Sequence, residues 1–255
     1  ITLQNPKAWS PDTPNLYKIK TELIEGTTTL EFNETQFGLR QFTFKENQLY
    51  LNGESLFLRG VNRHQEYPFI GYALSNAAHY RDAYKIKEAG FNYIRMSHYP
   101  PAPAFLDACD ELGLVVIDAI LGWQYYNPTD AFVNHQLKAA NQLILRDRNH
   151  PSILAWEVSL NESKMPIDFM KQMHDIVHKQ YPGDNVYSCG WKPEVYDIYL
   201  EARQHRLKHK AQYPNKPYMV SEYGDWEYYA MNAGLNQHKF SKLKRIETSS
   251  RQRRG

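Results

Sequence analysis

"FNYIRMSHYPPAPAFLDACDELGLVVIDAI", residues 91–120, lays a strand, a helix and a second strand end to end. Its outer pieces, "FNYIRMS" and "LVVIDAI", are short apolar runs of the kind made by parallel strands buried on both faces. Between them "APAFLDACDELG" reads as a helix closing on Gly113, since glycine turns a helix end at least steric cost. The same alternation continues in both directions. Upstream, "QLYLNGESLFLRGVN" carries an Asn-Gly hairpin signal whose second arm leads into a strand from Leu56, and helical "AAHYRDAYKIKEAG" closes on Gly90. Downstream come a helix in "AFVNHQLKAANQLILRDRN", a strand in "SILAWEV", a helix in "PIDFMKQMHDIVHKQYPG" and a strand in "NVYSCG". A weaker strand, "EVYDIYL", leads into helical "EARQHRLKHKAQY", and "KPYMVSEYG" is the last strand.

Strands at Leu56, Phe91, Leu114, Ile153, Val186, Val195 and Tyr218 make seven, one short of an α/β (β/α)₈ TIM barrel. A doubly wound open sheet is the alternative, but no Gly-rich phosphate loop follows the first strand. Residues 45–255 are therefore expected to form a barrel domain truncated before strand eight, because the text beyond Glu222 reads as loop and helix. Residues 1–44 are expected to be β structure from the end of a sandwich, with "NLYKIKTELIEG" alternating apolar and polar residues before a Gly turn. A start at Ile1 inside β-like sequence is the mark expected of a chain cut from something longer.

The chain has 255 residues, a formal net charge of +2 and 42% hydrophobic residues. That charge makes no case for a nucleic-acid surface, and the basic "RQRR" at Arg251–Arg254 reads as a solvated tail. No apolar run approaches the roughly 20 residues of a membrane helix. Cys109 and Cys189 are expected to be buried free thiols, which leaves the compartment open. Nineteen Tyr and five Trp suit stacking on flat ligands such as sugars.

Functional groups of a βα barrel gather where its strands end. Here those ends carry Arg59, Asn62, Arg63, His64 and Glu66; then Arg95, Ser97, His98 and Tyr99; then Asp118 and Trp123; then Asn161 and Glu162; and finally Glu222. An Asn-Glu pair such as Asn161–Glu162 is by itself an ordinary polar turn. Paired with Glu222 at the seventh strand end, Glu162 suggests glycoside cleavage. One carboxyl would protonate the leaving oxygen while the other meets the anomeric carbon, with retention when they stand roughly 5 Å apart. Asn161 could bind a ring hydroxyl. His64 and His98 suit sugar hydroxyls better than a metal, since no His-Glu-x-x-His or paired-Cys spacing occurs. His205 and His209, at i, i+4 spacing, sit among Lys and Arg and read as a solvated face. No metal and no cofactor is expected.

"LFLRGVNRHQEYP", "FNYIRMSHYPPAPAFLDACDELGLVVID", "RDRNHPSILAWEVSLNES" and "PYMVSEYG" together resemble glycoside hydrolase family two, the β-galactosidase and β-glucuronidase family. "WSPDTPNLYKIKTEL" and "FGLRQFTF" look like the end of the immunoglobulin-like domain that precedes its barrel. The resemblance implies a retaining exo-β-glycosidase, most similar to β-galactosidases, acting on a carbohydrate substrate. By motif Glu162 would be the acid/base, Glu222 the nucleophile and Asn161 the contact to the 2-hydroxyl. His98 would bind the sugar, with His64 supporting that subsite and Trp123 lining it. Tyr199 is the candidate for the tyrosine that hydrogen-bonds the nucleophile. Two departures stand out. Glu157 takes the place where the family usually has Trp, and Ala119 stands where galactosidases often have the Glu that opens a magnesium-binding stretch, so no magnesium site is carried over. A β-glucuronidase, or a catalytically silent chain that binds carbohydrate, is the alternative. A homo-oligomer of a longer parent stays open.

Overall fold

A computed structural model describes residues 2–202 and 215–223 of the chain. Contacts divide the chain into two units, 1–201 with 211–219, and 202–210 with 220–255. Residues 203–213 of the helical reading, with His205 and His209, and everything after Tyr223 lie outside the described residues.

The chain opens with an antiparallel hairpin, β1 (Tyr17–Glu25) and β2 (Thr28–Phe37), turning at Gly26 with φ +60. A three-stranded antiparallel sheet follows, from β3 (Phe42–Lys45), β4 (Gln48–Leu51) and β5 (Glu54–Ser55). Both of its loops have two residues with positive φ. These are Glu46 at 49° with Asn47 at 65°, and Asn52 at 54° with Gly53 at 88°. That geometry matches the right-handed strand twist, which is why Asn and Gly recur there. The Asn52-Gly53 turn was legible in the sequence and the Glu46-Asn47 turn was not.

Among the described residues the main sheet holds seven strands in the order β12-β11-β10-β9-β8-β7-β6: a TIM-like parallel barrel sheet one strand short of eight. They are β6 (Gly60–Arg63), β7 (Tyr93–Met96), β8 (Val115–Ala119), β9 (Ile153–Glu157), β10 (Ser188–Gly190), β11 (Ile198–Ala202) and β12 (Tyr218–Glu222). Helices α1 (Asn76–Glu88), α2 (Pro103–Leu112), α3 (Asp130–Asp147) and α4 (Ile167–Gln180) connect β6 through β10 in turn. Helix α2 starts at Pro103, whose missing N–H costs nothing in a first turn, and stops at Gly113 with φ +70. A Cβ at Gly113 would meet the Pro11 carbonyl oxygen at 2.3 Å, so both conformation and space demand glycine.

Two of the barrel strands start three or more residues away from the sequence reading. The first barrel strand starts at Gly60, since Glu54–Ser55 completes the small sheet. The strand read from Val195 starts at Ile198 and runs through Glu201 and Ala202, which the helical reading had claimed. Tyr196 explains the shift. It is fully buried, its hydroxyl donates to the Val158 carbonyl oxygen, and it anchors the turn that precedes the strand.

Alternation assigns the two faces of the strands. Ile94, Met96 and Val116 pack outward against Phe105, Leu106, Ile144, Met170 and Met173 of the helices, and so do Ile153 and Trp156, which lie on either side of the register shift between β8 and β9. Tyr93, Val115, Ile117, Leu154, Cys189, Ile198 and Leu200 fill the interior, closed by Phe42, Leu49 and Leu51 of the small sheet. These interior residues come from the beginnings and middles of their strands, so the small sheet plugs the N-terminal end. The C-terminal ends are left for polar groups. Cys109 and Cys189 are free and buried, and among the described residues no helix is long and apolar enough to cross a membrane.

Candidate active site

Because Ile94 and Met96 face the helices, Arg95 must point into the barrel above its apolar filling. There it meets Glu157, the last residue of β9, in a two-pronged ion pair. Nε donates to Oε2 at 2.7 Å and Nη2 to Oε1 at 2.5 Å, and the side chains are 1% and 5% exposed. Water is absent as a competitor at such burial, so the fork fixes both groups in one orientation.

The same guanidinium donates from Nη2 to Asn161 Oδ1 at 3.1 Å. That bond sets the amide the right way round, with Nδ2 turned toward His98 Nε2 at 3.3 Å. An amide nitrogen is donor only, so His98 Nε2 accepts and its imidazole is neutral. Burial, then the positive Arg95, then His64 pull the His98 pKa down to about 3, in agreement with that assignment.

Backbone bonds tie the loop after β8 onto this group. Ile120 N donates to Glu157 O at 3.1 Å, Gly122 N to His98 O at 3.0 Å, Asn161 N to Gly122 O at 3.2 Å and Gln124 N to Asn161 O at 2.8 Å. Gly122 has φ +134, and a Cβ there would come within 2.9 Å of Leu160 Cδ2. The loop delivers Trp123, 41% exposed, to 6.0 Å from the His98 ring. His64 stands 5.6 Å from His98 and 5.8 Å from Tyr99, completing an aromatic wall. The Ser97–His98 peptide is cis.

Glu162 follows Asn161 with φ +52, a left-handed conformation that costs a non-glycine residue about 1–2 kcal/mol. Its side chain is exposed, and Gln124 Nε2 donates to its Oε2 at 3.1 Å. The structure thus brings His64, His98, Trp123, Asn161 and Glu162 into one connected cluster. Glu222 ends β12 and is half-buried, in the second unit.

Three residues go elsewhere. Tyr199 alternates in β11 with Ile198 and Leu200, both buried in the interior cluster, so it takes the opposite face and packs on Tyr218 at 5.8 Å. Arg63 reaches back to α1, donating to Asp82 Oδ2 at 2.7 Å with its guanidinium 3.8 Å from the Phe105 ring. Asp118 lies under α3 near Asp147, and burial together with that carboxylate pushes its pKa well up. Sequence reasoning missed Gln124 as a partner of Glu162. It noted Arg95 and Glu157 separately without pairing them, since β8 lies between their strands.

Residues 42–247 match glycosyl hydrolases family 2, TIM barrel domain, and residues 1–40 match glycosyl hydrolases family 2. A β-galactosidase of Thermoanaerobacter pseudethanolicus is 40% identical over 88% of this chain and 31% of its own length. A β-galactosidase of Thermoanaerobacterium thermosulfurigenes is 36% identical over 89% of this chain and 33% of its own. The apo structure of Bacteroides uniformis β-glucuronidase 3 superposes with a TM-score of 0.72 and 31% identity, covering 80% of this chain and 28% of that one. The chain spans about a third of the length of the curated relatives it matches. With four-fifths of its residues matched by the barrel domain alone, the chain belongs to glycosyl hydrolases family 2.

Proposed function

We propose that the chain carries the acid/base and the nucleophile of a retaining β-glycosidase that removes terminal, non-reducing β-D-galactosyl residues. The observation that carries this reading is the Arg95–Asn161–His98 chain of hydrogen bonds, which presents Asn161 and the adjoining Glu162 beside an aromatic wall. Such a surface offers one fixed amide for a ring hydroxyl, neutral imidazole and indole faces for the sugar, and a carboxyl with access to solvent. The β-galactosidase relatives favour galactose.

In the first step a Glu222 carboxylate oxygen attacks the anomeric carbon as the glycosidic C–O bond breaks, and the leaving oxygen takes the proton of Glu162. In the second, Glu162 removes a proton from water, whose oxygen attacks the anomeric carbon and releases Glu222. Two inversions give net retention. The reading requires the two carboxyls to stand about 5 Å apart. Asn161 holds the 2-hydroxyl, a contact that strengthens as positive charge develops on the ring.

The superposition on a β-glucuronidase favours a second reading, with a glucuronide in the same pocket. Chromogenic β-galactoside and β-glucuronide, assayed side by side on the protein bearing this chain, separate the two. Azide tests the roles. Glu162→Ala should be rescued to a β-glycosyl azide, because a small anion attacks the glycosyl-enzyme without help from a base. Glu222→Ala should give no product of retained configuration. Near-parent turnover by Glu222→Ala would end the assignment.

A further inference from the structure

At the other end of the strands lies a second cluster of ligand-type side chains. His174 and His178 are one helical turn apart on α4, with ring centroids 4.6 Å apart. Facing them is Asp197, the residue before β11. One ligand atom from each of the three lies within 4.8 Å of the others. Asp197 Oδ2 is 2.8 Å from His178 Nε2 and accepts from Ser188 N at 2.7 Å and Ser188 Oγ at 2.9 Å. Ser188 Oγ also lies 2.7 Å from His174 Nδ1.

We propose that His174, His178 and Asp197 form a zinc site, with solvent as the fourth ligand. Two imidazoles and a carboxylate are a donor set zinc takes readily, and imidazole suits it above magnesium or calcium. Bonds of about 2.0–2.1 Å in a tetrahedron hold ligand atoms roughly 3.3 Å apart, so the side chains need close by no more than about 1.5 Å. They are free to do so, being 26%, 38% and 27% exposed, and that exposure also admits the ion. Ser188 supplies the outer support, since its backbone N–H orients the carboxylate in advance.

Asp197 and Ser188 stand where β11 and β10 begin, at the barrel end away from the catalytic rim. A metal there clips α4 to the β10–β11 connection and stabilises the fold without joining the chemistry. The sequence hides the site because Asp197 is distant from the histidines along the chain, and His205 and His209 show the same i, i+4 spacing as His174 and His178.

The test is calorimetric titration of the chelator-stripped 255-residue chain with zinc chloride, with thermal unfolding and cobalt(II) absorption in parallel. One equivalent should bind at roughly micromolar or tighter, raise the unfolding temperature and give the intense visible bands of tetrahedral cobalt. His178→Gln and Asp197→Asn should each weaken binding about tenfold or more. The Asn can still accept from Ser188, which guards the fold. His205→Gln with His209→Gln should leave binding unchanged. Binding that survives His178→Gln and Asp197→Asn, binding lost in the His205/His209 double variant, or no binding tighter than millimolar would each overturn the site.

Discussion

Asn161 owes its orientation to two neighbours, Arg95 and His98. Arg95 fixes which end of the amide is oxygen, and His98 takes up the nitrogen; Glu157 in turn holds Arg95. Removing one member of a buried pair leaves the other charge uncompensated, which costs about 3–5 kcal/mol. Glu157→Gln, which retains some hydrogen bonding, should lie near the lower figure in urea unfolding. A loss below about 1 kcal/mol would show that the pair is dispensable. At this scale the sequence was legible where a residue ends an apolar strand: Asn161, Glu162, His98 and Trp123 do gather. It was opaque where a partner lies across the barrel, as with Arg95 and Glu157, or where strand alternation decides. Tyr199 is turned away from the interior by Ile198 and Leu200, one residue on either side.

Between elements, the clearest fastening joins α2 to the approach to β9. Asp110, buried on α2, accepts from Ser152 N at 3.1 Å and pairs with His150 Nδ1 at 2.6 Å, while Trp9 Nε1 donates to its backbone oxygen at 2.8 Å. Burial disfavours the imidazolium, but the Asp110 hydrogen bond and charge outweigh it, and the His150 pKa lies above its ordinary 6.5. A raised folded pKa means that the folded state holds the proton more tightly. The contribution is complete below about pH 6.5 and fades as pH rises through the folded value. The stability lost in His150→Gln should therefore be larger at about pH 5.5 than at about pH 8.5. Equal losses at both would show that the proton plays no part. The strands and helices were readable because apolar runs alternate with Gly-terminated helical periods. The start of β11 was not, since Val195 and Tyr196 are apolar for a buried turn, and apolarity alone does not tell turn from strand.

For the molecule as a whole, the opening hairpin carries a run of exposed apolar side chains. Ile19, Leu23, Ile24, Leu30 and Phe32 are 41–61% exposed among the described residues. Exposed apolar groups of that density favour association. Leu23→Lys with Phe32→Lys should lower dye binding and self-association of the 255-residue chain without shifting its far-ultraviolet spectrum; unchanged dye binding would show that the hairpin is not the exposed surface. The barrel was legible from seven short apolar strands in series, whereas the small sheet that plugs it was not, because β5 is two residues long. The proposed chemistry rests on Glu222 forming a bond to sugar. A 2-deoxy-2-fluoro-β-galactoside with a good leaving group, incubated with the protein bearing this chain, slows release of the glycosyl-enzyme so that proteolysis and mass spectrometry can locate the ester. A single fluoroglycosyl group on Glu222, absent from Glu222→Gln, is the predicted result. The same group on another carboxylate, or steady turnover with no trapped ester, would contradict it.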